Sequence, residues 1–274
     1  MDIRSWHRSV SGEIVVHKAW NIEQTELVAH CFTTRYGGVS APPRDSLNMA
    51  LHVGDDAASV LENRRRLCSS LKLDPAAIVC AEQVHRSEVA VVKAEDASRG
   101  ATKFEDSIPN TDALITNAPG PVLSLFFADC VPVFILDPIR KAIGLAHAGW
   151  KGTALSIALK TVEAMQQEFG TNPSECLAAI GPSIGRCCYD VSPDVAEAVF
   201  TAAGDDRIIA RACQDKMRLD LKLANWFILR KSGIPEANIA VSELCTACEA
   251  EDFFSYRRDG STGRMAAVMA LRDH

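Results

Sequence analysis

Cys130 and His147 are the two side chains whose chemistry and spacing converge most directly. Val131–Leu136 and Ala142–Ala146 read as buried strands, and Asp137-Pro138-Ile139-Arg140-Lys141 between them is a turn-type segment. A turn centred between Pro138 and Ile139 sets Cys130 opposite His147. Directly opposed residues of an antiparallel pair hold their Cβ atoms roughly 4.5–5.5 Å apart. That separation suits two ligands of one tetrahedral zinc, with Zn–S near ~2.3 Å and Zn–N near ~2.0 Å. A second reading stays open here: Cys130 as a small buried hydrophobe, with a one-residue change of register sending the two side chains to opposite faces.

The neighbours of this pair carry chemistry of their own. His147-Ala148-Gly149-Trp150-Lys151-Gly152-Thr153 leads from a strand into a helix expected over 153–169. Gly149 and Gly152 would let the backbone approach a ligand, and a helix start offers unpaired N–H groups to an anion. The alternative is a tight turn around a core Trp150. Asp129 adjoins Cys130 at the end of an apolar stretch, where a carboxylate is costly unless paired or hydrogen-bonded. It reads as a proton-transfer group, or equally as an acceptor of backbone N–H bonds. His85, alone at a strand boundary, reads by itself as structural. Cys245-Thr246-Ala247-Cys248 is a CxxC unit without a second one, and Cys187-Cys188 are adjacent. These four read as mostly structural, with Cys245 or Cys248 as pocket-lining thiols.

The elements that must position these groups follow from periodicity. Strands are expected at 77–81, 88–93, 112–116, 121–127, 131–136, 142–147, 176–180, 238–242 and 264–271. Asp55 or Asp56 can cap a helix running to Leu71, with Arg64, Arg65 and Arg66 on its wet face. Leu155, Ala158, Leu159, Val162, Met165 and Phe169 mark one helix face closed by Gly170, and further helices are expected near 193–203 and 220–232. Strands dominate the middle while helices intervene irregularly, so the class is α/β of the α+β type, with mixed sheets. No repeat or linker divides the chain, and residues 1–274 read as a single domain with a variable leader over 1–27.

Composition narrows the function. A net charge of −6 argues against a general binder of nucleic acid or anionic membranes. The run Val122–Leu136 is interrupted by Asp129 and Pro132, too short for a bilayer span. Without a signal-peptide core at the amino terminus, a cytoplasmic address is expected, and ten cysteines with no compact framework fit it if they stay reduced. There is no G-x-S-x-G elbow, Walker loop, G-x-G-x-x-G fingerprint or H-x-E with P-C-x-x-C deaminase signature.

Several segments taken together resemble the YfiH/DUF152 family, which has been described as multicopper polyphenol oxidase (laccase), peptidoglycan editing factor and purine nucleoside phosphorylase. They are residues 32–40, 46–48 with 52–56, Glu82-Gln83-Val84-His85, Phe127-Ala128-Asp129-Cys130-Val131-Pro132, His147-Ala148-Gly149-Trp150, 180–185 and Phe254-Ser255-Tyr256-Arg257-Arg258-Asp259. The resemblance spans about 28–271 and implies a layered α/β/β/α fold. It also implies one zinc held by His85, Cys130 and His147, with phosphorolysis of adenosine, inosine and methylthioadenosine and deamination of adenosine. Asp129 and Cys130 are catalytic candidates; Arg35, Asn48 and Arg257 in the matched segments, and Lys151 and Gly152 just beyond Trp150, are candidates for binding substrate or phosphate. The sequence departs from the family pattern at Arg86, where Gly is usual, and at Lys151, where Arg is usual. A Lys keeps the charge but loses bidentate grip on an oxyanion.

Three protein ligands leave one tetrahedral position open, the pattern of a catalytic zinc. The rival enzyme reading is a cytoplasmic amidase editing muramyl peptide precursors, with the same zinc or with Cys130 as nucleophile. The non-enzyme reading is a zinc-stabilised module whose fourth ligand is Cys187, Cys188, Cys245 or Cys248. Copper is the alternative metal, but seven histidines without an H-x-H pair are few for a coupled copper oxidase. Purine nucleosides and phosphate are the expected partners; the oligomeric state is not legible in the sequence.

Overall fold

A computed structural model describes residues 5–212 and 216–272; Cys213 and His274, counted in the sequence reading, lie outside them. The strands are β1 (Trp6–Ser11), β2 (Ile14–Ala19), β3 (Val28–Thr33), β4 (Ile78–Cys80), β5 (Val89–Val91), β6 (Ala113–Thr116), β7 (Val122–Phe127), β8 (Val131–Asp137), β9 (Ala142–Ala148), β10 (Leu177–Ile180), β11 (Asp190–Val191), β12 (Ile209–Arg211), β13 (Met217–Leu219), β14 (Ile239–Val241) and β15 (Met265–Leu271). The helices are α1 (Trp20–Glu23), α2 (Ala57–Leu71), α3 (Trp150–Ala154), α4 (Ile157–Phe169), α5 (Pro193–Ala203), α6 (Leu221–Lys231) and α7 (Tyr256–Asp259).

Two six-stranded sheets, ordered β1-β2-β3-β15-β7-β4 and β14-β10-β8-β9-β6-β5, stack face to face, and β11-β13-β12 forms a small third sheet. Both large sheets are mixed, since β4 runs parallel to β7, β5 to β6 and β14 to β10. Side-chain alternation builds the layers. On β8, Val131, Val133 and Ile135 pack with α4, α5 and α6, while Phe134 and Leu136 face the opposite sheet. On β15, Met265, Ala267 and Met269 face that same interlayer, while Ala266 and Val268 pack with Leu67 of α2. The result is the expected α/β/β/α order, and strands covered on both faces explain the unbroken apolar runs.

The β8–β9 hairpin corrects the expected register. Asp137 pairs with Ala142 and Val131 with Ala148, so the turn sits one residue later than the sequence reading placed it. Asp137 Oδ1 accepts N–H bonds from Ile139 and Arg140, both at 3.0 Å, an Asx-type arrangement that favours the later turn. Moving the turn by one residue moves each cross-strand partner by two. Cys130 therefore lies across from Gly149, and His147 remains on the same face because side chains alternate with period two.

Two helix expectations also change. The single helix over 153–169 is α3 and α4, separated at Leu155-Ser156, where Ser156 has φ 57°. α3 packs on α5 and α4 on β9. Leu155, expected on the apolar face, is exposed. On α2, capped by Asp56 as expected, Arg64 is buried and not on a wet face. It falls in line with Val60, Leu67 and Cys68, and its guanidinium donates to the carbonyls of Met49, Gly100 and Ala101. Strands β1 and β2 lie within the stretch expected as a leader.

Candidate metal centre

His147 is the last inward-facing side chain of β9, beyond Ile143 and Leu145 in the layer between the sheets. Cys130 precedes β8, and His85 comes from the loop between β4 and β5. Their ligand atoms lie within 4.8 Å of one another. The three run from interior to solvent, with His147 buried, Cys130 half-buried and His85 exposed. Cys130 Sγ is 4.0 Å from His85 Nε2, and the two imidazole rings meet edge to face with centroids 4.8 Å apart.

Asp112, fully buried at the entry to β6, holds this arrangement. Its Oδ1 accepts from His147 Nδ1 at 2.8 Å and from the His85 N–H at 3.0 Å; its Oδ2 accepts from the N–H groups of Val84 (3.2 Å) and Arg86 (2.8 Å). The His147 N–H in turn donates to the Asp112 carbonyl at 2.8 Å. One carboxylate thus fixes the loop that carries His85, whose φ is 59°, and the tautomer of His147. With the proton on Nδ1, Nε2 keeps its lone pair for a metal. Burial alone would raise Asp112, but His147 and the backbone donors bring it below the usual carboxylate range.

Burial also opposes charge on Cys130 and His147, yet each offsets it for the other. The two histidines bring the Cys130 thiol down to about 6, and Cys130 with Asp112 lifts His147 to about 9. Both shifts run in the direction of a thiolate–imidazolium pair, and a bound cation would take the place of its proton. Chelator-stripped protein should therefore show Cys130 alkylation by iodoacetamide with a midpoint near pH 6, since a lowered thiol stays ionised above that value. A midpoint near 9, read by mass spectrometry, would mean that the pair does not form.

The donor set fits zinc. A tetrahedral site with Zn–N near ~2.0 Å and Zn–S near ~2.3 Å needs ligand separations of roughly 3.3–3.8 Å, so the three side chains need only small rotations inward. Space is reserved by Gly149. A Cβ there would stand 3.0 Å from Cys130 Sγ and 3.2 Å from His85 Cδ2. Its φ of −67° and ψ of 175° suit any residue, so backbone strain is not why glycine is needed. Gly149→Ala should leave the melting temperature within about 2 °C and weaken metal affinity about tenfold, on the scale of changes beside a metal ligand. Titration against a competing chelator measures it.

The other sequence candidates divide into two groups. Asp129, with φ 88°, accepts from Thr246 Oγ1 (2.7 Å), Ser255 Oγ (3.1 Å) and the Arg257 N–H (2.7 Å), tying two loops to the residue beside Cys130. Arg257 donates through Nη1 to the Asp190 carbonyl at 3.0 Å and stacks on Tyr189 at 4.9 Å. Lys151 is exposed over Trp150, and a Cβ at Gly152 would lie 3.2 Å from the His147 carbonyl, which sets Gly152 beside the site. Arg35 and Asn48 instead spend their donors inside the protein. Arg35 donates to the Asp45 carbonyl and carboxylate and to the Ala250 carbonyl. Asn48, fully buried, donates to Asp55 and the Ala50 carbonyl and accepts from the N–H groups of Ala50 and Arg264.

Sequence reading does not single out Asp112, although the argument applied to Asp129, an acid bordering an apolar strand, applies to it equally. It also passes over Arg264 and Tyr189. Burial lowers Arg264 while Cys130 and Asp129 oppose the shift; burial lifts Tyr189 to about 12, with Cys130 adding to the rise. Among the described residues, side chains able to hold a metal gather in two groups, this one and Cys187, Cys188, Cys245 and Cys248. In the latter, the adjacent Cys187-Cys188 lies against the Cys245–Cys248 unit, a proximity that the sequence does not show.

Comparison with known proteins places this geometry in a family. The chain is 43% identical over 244 residues to purine nucleoside phosphorylase YlmD of Geobacillus stearothermophilus, covering 88% of this chain and 89% of that protein. It is 35% identical over 237 residues to adenosine deaminase RL5 from an unknown prokaryotic organism, covering 85% and 90%. The crystal structure of YlmD from Geobacillus stearothermophilus superposes with a TM-score of 0.93 at 39% identity, covering 100% of both chains. The profile described as multi-copper polyphenol oxidoreductase laccase matches residues 29–272, and the chain belongs to that family.

Proposed function

We propose that this protein is a zinc-dependent purine nucleoside enzyme that phosphorolyses adenosine, inosine and methylthioadenosine and also deaminates adenosine. The observation that carries the reading is the convergence of His85, Cys130 and His147 with no fourth protein ligand among the described residues. The names of the relatives support the substrate class. Zinc held there would supply Lewis acidity toward a substrate oxygen or water. Asp112 keeps His147 in the ligating tautomer, and Gly149 keeps the space clear. For phosphorolysis, phosphate attacks C1′ as the bond to the purine nitrogen breaks and the purine leaves with a proton. Lys151 and Arg257 are the cations we assign to the phosphate. The helix-start contribution is smaller than the sequence suggested, because α3 has only five residues and fewer aligned peptide dipoles. Asp129 anchors the Arg257 loop, and with the Ser255 and Thr246 hydroxyls it provides a path for protons.

A second reading is favoured by the line Cys130–His147–Asp112, which is the order of nucleophile, base and orienting acid in a thiol amidase. One experiment separates the two. Zinc-loaded protein is incubated with adenosine, with and without phosphate, and adenine, inosine and hypoxanthine are resolved by chromatography. Phosphate-dependent adenine and phosphate-independent inosine, both lost in His85→Ala, are expected. No product from zinc-replete protein, with a muramyl peptide precursor cleaved by metal-free protein, would overturn the proposal in favour of the amidase.

A further inference from the structure

We propose that Cys187, Cys188, Cys245 and Cys248 form a second metal site, a tetrathiolate centre for a soft divalent cation of the zinc type. The bound ion would fasten together two loops that wall the first site. The four Sγ atoms lie within 4.8 Å of one another, with Cys248 Sγ 3.5 Å from Cys187 Sγ and 3.4 Å from Cys188 Sγ. Four sulfurs around one zinc at ~2.3 Å stand roughly 3.8 Å apart, so the cluster already has the dimensions of a coordination shell. The separations are also far from the ~2.0 Å of a covalent S–S bond.

The backbone prepares the shell. Cys187 and Cys188 lie in a turn closed by the Cys188 N–H to the Gly185 carbonyl at 3.0 Å. The Cys248 and Glu249 N–H groups fold back onto the Cys245 carbonyl at 3.1 and 2.9 Å. An isolated bridge between Ser183 and Cys245 brings the two turns side by side. The Gly185 N–H donates to Cys245 Sγ at 3.1 Å, a bond that stabilises a thiolate ligand. Gly185 also leaves room: a Cβ there would stand 3.1 Å from Cys187 Sγ and 3.3 Å from Cys245 Sγ.

Cations stand near the backbone that carries the four sulfurs, although Arg258 is itself paired with Asp259 at 2.7 Å. Four thiols binding one divalent cation release four protons and leave a centre of net charge −2, which needs cations around it. Lys222 Nζ donates to the carbonyls of Ser242 (2.8 Å) and Leu244 (3.0 Å), next to Cys245. Arg258 Nη1 donates to the carbonyls of Thr246 (3.0 Å) and Ala247 (3.2 Å), and Arg257 Nη1 to that of Cys188 (3.4 Å). Cys187 and Cys248 are exposed, so packing into a core does not account for the cluster. Its neighbours explain its use. Cys188 precedes Tyr189, and Cys245 precedes Thr246, which holds Asp129 beside Cys130.

Metal content tests the site independently of any activity. Wild-type protein prepared with zinc and reductant should carry two equivalents by mass spectrometry, and Cys130→Ala, which empties the first site, should keep about one. Cobalt bound to the Cys130→Ala protein should show intense sulfur-to-cobalt charge transfer and tetrahedral d–d bands, lost on adding Cys248→Ser. The Cys130→Ala protein leaves the four-cysteine cluster intact, so the reading survives even if Cys248→Ser fails to fold. Metal-free Cys130→Ala protein under these conditions, or a disulfide joining Cys187 or Cys188 to Cys248 in the reduced preparation, would overturn the proposal.

Discussion

Alanine in place of Asp112 is expected to lower stability by roughly 3 kcal/mol and to weaken metal binding by 10–100-fold or more. The side chain accepts four hydrogen bonds, three from backbone N–H groups of Val84, His85 and Arg86 and one from His147. Each buried donor left without a partner costs about 1–3 kcal/mol, and because Val84 is half-buried and His85 and Arg86 are exposed, water replaces part of what is lost. The loop then loses the bonds that hold His85, and His147 loses the acceptor that keeps its proton on Nδ1. Asp112→Asn sharpens the test. Its amide can accept on one side only, so stability should fall less than in the alanine variant, while metal affinity still drops through the disturbed tautomer. Urea unfolding and chelator competition on both variants measure the two effects. Wild-type metal affinity in Asp112→Asn would show that the carboxylate braces the loop and nothing more.

Loss of the Cys130 thiol should produce the largest functional effect. A catalytic metal contributes several kcal/mol, and each ~1.4 kcal/mol is tenfold in rate. Cys130→Ala is therefore expected to lower nucleoside turnover about 10³-fold or more. Stability should change little, because the side chain is half-buried and only one sulfur is removed. Zinc at the first site should fall together with activity, which distinguishes a metal ligand from a nucleophile whose removal leaves metal in place. Full zinc occupancy in an inactive Cys130→Ala protein would move the assignment to the thiol reading.

The central strands were legible because they are covered on both sides and so consist almost wholly of apolar residues. The Cys130–His147 proximity was legible despite a misplaced turn, because the pairing error was two residues and kept both side chains on one face. Asp112 was hidden by distance: 35 positions separate it from His147 in sequence, and only the pairing of β6 with β9 brings them together. Strands β2 and β3 were hidden by histidines that look like surface residues. His17 and His30 are buried and kept neutral, lowered to about 4 and about 3 chiefly by burial. His30 Nε2 accepts the Ala19 N–H at 3.0 Å, so it behaves as a satisfied core residue. Arg64 misled for the same reason, since a charge is read as wet until three carbonyls are found around it. The four-cysteine cluster needed the fold, because its pairs lie about 60 positions apart.

The central claim is that one zinc is held by His85, Cys130 and His147, and anomalous scattering tests it most directly. Crystals of protein prepared with zinc would be measured just above and just below the zinc absorption edge. The predicted result is a difference peak bounded by His85 Nε2, Cys130 Sγ and His147 Nε2 that disappears below the edge. An empty position there, or a peak that follows the copper edge, would contradict it.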